Sequence, residues 1–176
     1  GGHLWMQINH PGKQSPVFLS PEPVAPSAVP LGHGLEKVFA MPRALTAEEI
    51  DELIERFGRT AGIAKRAGFS GVQIHGAHGY LVSQFLSAHH NRRTDKWGGD
   101  LEQRAGFALA VLGAMRSAVG EAEQRFGALT GVIHAAGHIN DGPILAKTEA
   151  DIARLTKISD HMAEHFDTTD PLDMFE

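Results

Sequence analysis

A chain of 176 residues, 42% hydrophobic and 21% charged, is long enough for one domain with a real core and is composed like a soluble globular protein rather than a disordered one. Its formal net charge of −5 argues against nucleic acid as the main partner, and the short basic pair Arg92-Arg93 is closed off by Asp95. The absence of cysteine excludes a disulfide framework and thiolate metal or redox chemistry, and suits a reducing, cytoplasmic setting.

Taken in chain order, the opening Gly1-Gly2-His3 leads straight into strand-like sequence and reads as the start of a fragment. Residues 3–9, "HLWMQIN", predict a short strand that ends at "HPGKQSP". Residues 11–43 are proline-rich and show no helical period, so they read as a long loop. Thr46 with Glu49 three residues on forms a capping box, and Ile50, Leu53, Ile54, Phe57, Ala61 and Ala64 repeat at helical spacing. That helix is expected to stop near Gly68. A strand follows at 71–75, then a histidine-rich turn and the loop "SAHHNRRTDKWGGD". A second helix is predicted from about Leu101 to Gly120, with Phe107, Val111, Ala114, Met115 and Ala118 on one face. The longest apolar run, Phe107 to Met115, is far too short for a membrane span. A third strand is expected at 130–137, "TGVIHAAG", and a helix-like run from Thr148 to His165. Strand and helix alternate, which is the rhythm of an α/β fold with parallel strands.

The question raised by the pattern lies in "GVQIHGAHGYLVSQFL", residues 71–86, where a strand end carries His75, His78 and the chain's single tyrosine, Tyr80. These residues also carry a family likeness. With "MQINHPGKQS", "PRALTAEEI", "NRRTDKWGG" and "LEQRAGF", they make residues 3–120 resemble the Old Yellow Enzyme family of FMN-dependent ene-reductases, the NADH:flavin oxidoreductases. The resemblance implies the third and fourth βα units of an eight-stranded TIM barrel. A shorter likeness joins residues 124–175, through "RFGALTGVIHAAGHINDGPI", to ketoreductase domains of the short-chain dehydrogenase family. Together they imply a chimera or rearranged fragment of two segments: a partial barrel at 1–120 and a Rossmann-type βα piece at 121–176.

The first resemblance implies a chemistry. Active sites of αβ barrels lie at the carboxyl ends of the strands, where His75 to Tyr80 stand. By the resemblance, His75 and His78 match the pair that hydrogen-bonds a substrate carbonyl oxygen, and Tyr80 matches the proton donor. Gln7 matches the strand glutamine that contacts FMN, NAD(P)H is the reductant and an activated alkene the small-molecule substrate. Each residue has a plainer reading as well. A strand-end histidine can simply cap a loop, Tyr80 can pack with its hydroxyl in water, and Gln7 can be a buried amide bonded to backbone. Asn91, Arg93, Thr94 and Asp95 match the family's loop and are expected to build it rather than react. Trp97 and Gly106 stand where the family commonly has Tyr and Arg. No metal site is expected: His75, His78, His89 and His90 offer imidazoles, but no H-E-x-x-H is present. Ketone reduction is not expected either, since no G-x-G-x-x-G occurs and Tyr80 precedes the join. The open strand edges of a partial barrel point to self-association, and the plainest alternative is a non-catalytic α/β fragment whose sheet another chain completes.

Overall fold

Three parallel strands, each run of sequence returning through a helix, form the described sheet. The computed structural model describes residues 2–32, 34–126 and 132–136, with backbone alone at 121–126 and 132–136. The strands are β1 (Trp5–Ile8), β4 (Gly71–Gly76) and β5 (Val132–Ala136), in the order β1-β4-β5. Gln7 lies opposite Gln73 and Ile8 opposite Ile74, while β5 pairs His75 with Ala135. The expected α/β fold with parallel strands is therefore present. Two further strands, β2 (Val24–Ala25) and β3 (Arg43–Ala44), form a separate parallel pair inside the long proline-rich loop. A single 3-10 turn, Gly12–Gln14, follows β1.

Helix α1 runs from Ala47 to Arg66. Thr46 Oγ1 accepts from the Glu49 amide, and the Glu49 carboxylate accepts from the Thr46 amide, so the expected capping box is complete. The carboxylate also takes two hydrogens from Arg43, whose donation holds it at a pKa of about 2. Gly68, at φ +89°, ends the helix in a Schellman turn, with Phe69 N–H on Ala64 O and Gly68 N–H on Lys65 O. Ile50, Leu53, Phe57, Ala61 and Ala64 are buried as the spacing predicts, while Ile54 is only half-buried.

Helix α3 spans Leu101–Phe126 and corrects the expected end at Gly120. One interior glycine costs a helix only about 1 kcal/mol, and the strong helix formers Glu121, Ala122, Glu123, Gln124 and Arg125 carry it onward. The expected division between residues 120 and 121 falls inside this helix. Its start has a capping box the sequence reading missed: Asp100 Oδ1 accepts from Gln103 N–H at 2.9 Å, and Gln103 Oε1 accepts from Asp100 N–H at 3.3 Å. Helices α1 and α3 pack closely where Gly58 faces Ala114: a Cβ on Gly58 would come 2.9 Å from the Ala114 carbonyl oxygen. Their apolar faces join Ile8, Val72 and Ile74 in one core around Phe107, whose ring stacks on Phe85 at 4.1 Å.

The alternation of strand side chains decides where chemistry can sit. Ile8, Val72 and Ile74 face the helices and are buried, so Gln7, Gln73 and His75 stand on the other face of the sheet. The expected helix at Thr148 to His165, and most of the 121–176 segment with its Rossmann-type reading, lie outside the described residues.

Candidate active site

His75 sits where β4 ends, buried against the start of a short helix, α2 (Leu81–Leu86), to which the sequence reading assigns no element. Its Nδ1 accepts from the Ala77 backbone N–H at 3.2 Å. A neutral ring bonded so must carry its proton on Nε2. That Nε2 lies 3.2 Å from His78 Nδ1 and donates to it. Burial first, and the neighbouring His78 second, push the His75 pKa below its ordinary value, which keeps this ring neutral near pH 7. His78 is exposed and left-handed, at φ +58°, a conformation that costs any residue with a Cβ. Gly79 follows at φ +71°. The two left-handed residues turn the chain so that the His78 ring swings back over His75.

Tyr80 is the residue just before α2, half-buried, and its hydroxyl makes no cap bond to the helix. Its ring stands edge-on to His75, centroids 5.0 Å apart, and His78 approaches His75 at the same 5.0 Å. The three rings predicted from sequence thus form one cluster with His75 at its centre. Gln7 stands apart from them on β1, exposed, with its Nε2 donating to Gln73 Oε1 at 2.8 Å. The plainer reading of Gln7 as an amide bonded to backbone is not what the geometry shows; its partner is another side-chain amide. Gln7, Gln73 and His75 share the sheet face that an αβ barrel turns inward.

Two buried polar residues escaped the sequence reading. Lys13 is buried, and its ammonium donates to Val29 O at 2.9 Å and Pro30 O at 3.3 Å and lies 2.7 Å from His90 Nδ1. Burial, with Arg92 nearby, holds its pKa down to about 8. Gln84 is completely buried: its Nε2 donates to Gly79 O at 2.7 Å and Pro11 O at 3.3 Å, and its Oε1 accepts from Lys13 N–H at 3.4 Å. The available signal was a lone amide in the apolar run Leu81 to Leu86.

The loop residues behave as builders. Asn91 Nδ2 donates to Phe85 O and Trp97 O, and Arg93 donates to Pro26 O, Leu45 O and Asp95. Trp97 is buried edge-on to Phe107, though its indole N–H finds no partner among the described residues. A Cβ on Gly106 would make ordinary contacts with Trp97, so the glycine is not sterically required. Among the described residues, no three His, Asp or Glu side chains are grouped to hold a metal ion, and no helix is long and apolar enough to cross a membrane.

Comparison with known proteins bears on this cluster. The model of the NADH:flavin oxidoreductase / NADH oxidase family matches residues 1–167. The chain is 44% identical over 123 residues to NADH oxidase of Thermoanaerobacter brockii, covering 69% of this chain and 18% of that protein. It is 41% identical over 126 residues to 12-oxophytodienoate reductase 1 of Oryza sativa subsp. japonica, covering 68% of this chain and 33% of the relative. Among solved structures, the old yellow enzyme homologue of Zymomonas mobilis superposes with a TM-score of 0.62 at 37% identity, over 69% of this chain and 36% of that one. Morphinone reductase superposes at 0.66 and 27% identity, over 94% of this chain and 54% of that one. The chain thus spans a third or less of these two curated relatives. The second resemblance, to short-chain dehydrogenases at 124–175, gains no support here: the family match runs on into that segment as far as residue 167. By sequence and by fold, the chain belongs to the NADH:flavin oxidoreductase / NADH oxidase family.

Proposed function

We propose that this chain carries the substrate-activating part of an FMN-dependent NAD(P)H oxidoreductase that reduces activated alkenes. The observation that carries the reading is the cluster of His75, His78 and Tyr80 at the carboxyl end of β4, held by a left-handed turn. His75 Nε2 and His78 Nδ1, 3.2 Å apart, mark where one carbonyl oxygen could be addressed by both rings. The His75 proton is already on Nε2, where it now bonds His78; an incoming oxygen would take that bond over, and His78 would address it by changing to the tautomer protonated at Nδ1. Hydrogen bonds to the oxygen would stabilise the negative charge that grows there as the alkene accepts hydride. Tyr80, across the His75 ring, would hold the proton for the alkene carbon.

The residues present fit a flavin in one respect. Gln7 offers an exposed planar amide on the inward face, suited to the donor and acceptor edge of the isoalloxazine ring. When bound, FMN would supply the redox chemistry, with NAD(P)H as reductant. The NADH:flavin oxidoreductase / NADH oxidase family and the NADH oxidase relative support NADH and flavin as partners. The lack of cysteine supports a cytoplasmic setting, and β1, at the edge of the described sheet, supports self-association.

The test is Tyr80→Phe in the FMN-supplemented chain, with the two half-reactions followed separately under anaerobic conditions. Reoxidation by an activated alkene is expected to slow roughly 100-fold or more, with flavin reduction by NAD(P)H unchanged. Equal reoxidation rates in parent and variant would remove Tyr80 from the role of proton donor.

A further inference from the structure

The His78–Gly79 turn places two successive residues in the left-handed region, and His78 pays the steric cost of a side chain there. Something must hold it. The carbonyl of each of these residues accepts a hydrogen from a glutamine amide: Gln14 Nε2 donates to His78 O at 2.7 Å, and Gln84 Nε2 donates to Gly79 O at 2.7 Å. The two glutamines come from different elements, the 3-10 turn after β1 and helix α2. Gln84 also donates to Pro11 O and accepts from Lys13 N–H, so one buried amide ties both strand-end loops together. Leu81 N–H on His10 O, at 3.0 Å, adds a backbone link between them. Gly12 is shaped to the same amide: it is left-handed, and a Cβ there would collide with Gln84.

From this geometry we infer that Gln14 and Gln84 are positioning residues for His78, clamping its turn so that its ring meets His75. The inference rests on the proposed role of the histidine pair, but the clamp itself exists without cofactor or substrate. Neither glutamine touches the ring it places. Each acts on the backbone carbonyl behind it. Gln84 fixes the far side of the turn from inside the protein, and Gln14 fixes the near side from the surface.

The test is nitrogen-15 NMR of histidine-labelled full-length chain, without flavin, for the parent, Gln14→Met and Gln84→Met. In the parent, His75 is expected to carry its proton on Nε2, protected by His78, and His78 to populate one tautomer with Nδ1 as acceptor. Either substitution should leave His78 in mixed tautomers and raise solvent exchange at His75 Nε2 at least tenfold, with the His3 signals unchanged. Gln84→Met leaves buried groups unpaired and could unfold the chain; Gln14→Met, at a half-buried surface position, then decides alone. A folded Gln14→Met chain with parental tautomers and exchange would overturn the clamp. If the clamp signature changes as expected while Tyr80→Phe reoxidises at the parental rate, the clamp stands and the proposed chemistry does not.

Discussion

The two strands that would share a barrel interior differ sharply in how finished they are. At the end of β4, His75, His78 and Tyr80 are packed ring against ring, with the turn between them bonded on both sides. On β1, Gln7 is exposed and has one neighbouring amide as its partner. The difference follows from what supports each residue. The β4 turn is local: its geometry is set by residues 75–84 and by the 3-10 turn directly above. The surroundings of Gln7 are not local in this way, and the chain spans a third or less of its curated relatives. The ring cluster of β4 is therefore built from contacts within this chain, whereas Gln7 has a single side-chain partner here.

Substitutions can break this comparison from the inside. The largest effect is expected at Phe57, buried edge-on to Phe107 beneath the sheet. Phe57→Asp buries an unpaired charge and removes a ring, at a cost of roughly 4 kcal/mol or more, so the chain should be unfolded at room temperature. Glu52→Asp or Glu55→Asp, on the exposed face of α1, should melt like the parent; equal melting of all three would show that α1 is not docked on the sheet. Ile54→Asp, at a half-buried position, should fall between them.

Gly12→Ala strikes the seam between the two strand ends. The left-handed backbone and the collision with Gln84 together should cost roughly 2 kcal/mol, read as a lower denaturation midpoint. A midpoint within error of the parent would mean that the seam yields freely. Thr46→Ala removes one half of the α1 capping box, whose bonds involve neither glutamine of the clamp, and should cost about 1 kcal/mol. That variant calibrates how much of any loss at the seam is general rather than specific to it.

The smallest effect is in pH. His75 and His10 are both held below their ordinary pKa, His75 by burial and then His78, His10 by burial and then Arg56. The unfolded chain then binds more protons than the folded one as pH falls through the ordinary histidine value of 6.5. Stability should decline as pH falls below that value, and His75→Asn should flatten part of the decline; a separate rise is expected only above about 8, where buried Lys13 loses its proton before the unfolded chain does. The depressed Glu49 acts in the same direction but only below the ordinary carboxylate value of 4.5, so the two windows separate in a denaturation series. A chain equally stable on both sides of pH 6.5 would contradict the buried, neutral His75.

How much of this was legible beforehand depended on how local each feature is. The α1 capping box and its apolar stripe were readable because both partners lie within one helical turn. The grouping of His75, His78 and Tyr80 was readable because six residues contain it. The clamp was not: Gln14 and His78 are far apart in sequence, and nothing in "GKQS" or "SQFL" says that one amide will reach the other turn. Lys13 was missed for the same reason, since its acceptors lie in the proline-rich loop, where no periodicity marks a contact. The end of α3 was misread because a glycine was taken as a stop where strong helix formers follow.

The inequality of the two sides is tested most directly by equilibrium titration of the full chain with FMN, followed by gel filtration. Gln7 is the flavin contact proposed on these strands, and an exposed amide cannot replace charge-assisted bonds to a phosphate. The account predicts micromolar or weaker binding, on the order of −8 kcal/mol or less in magnitude, and a mostly colourless protein after the column. A yellow protein that retains stoichiometric FMN would contradict it.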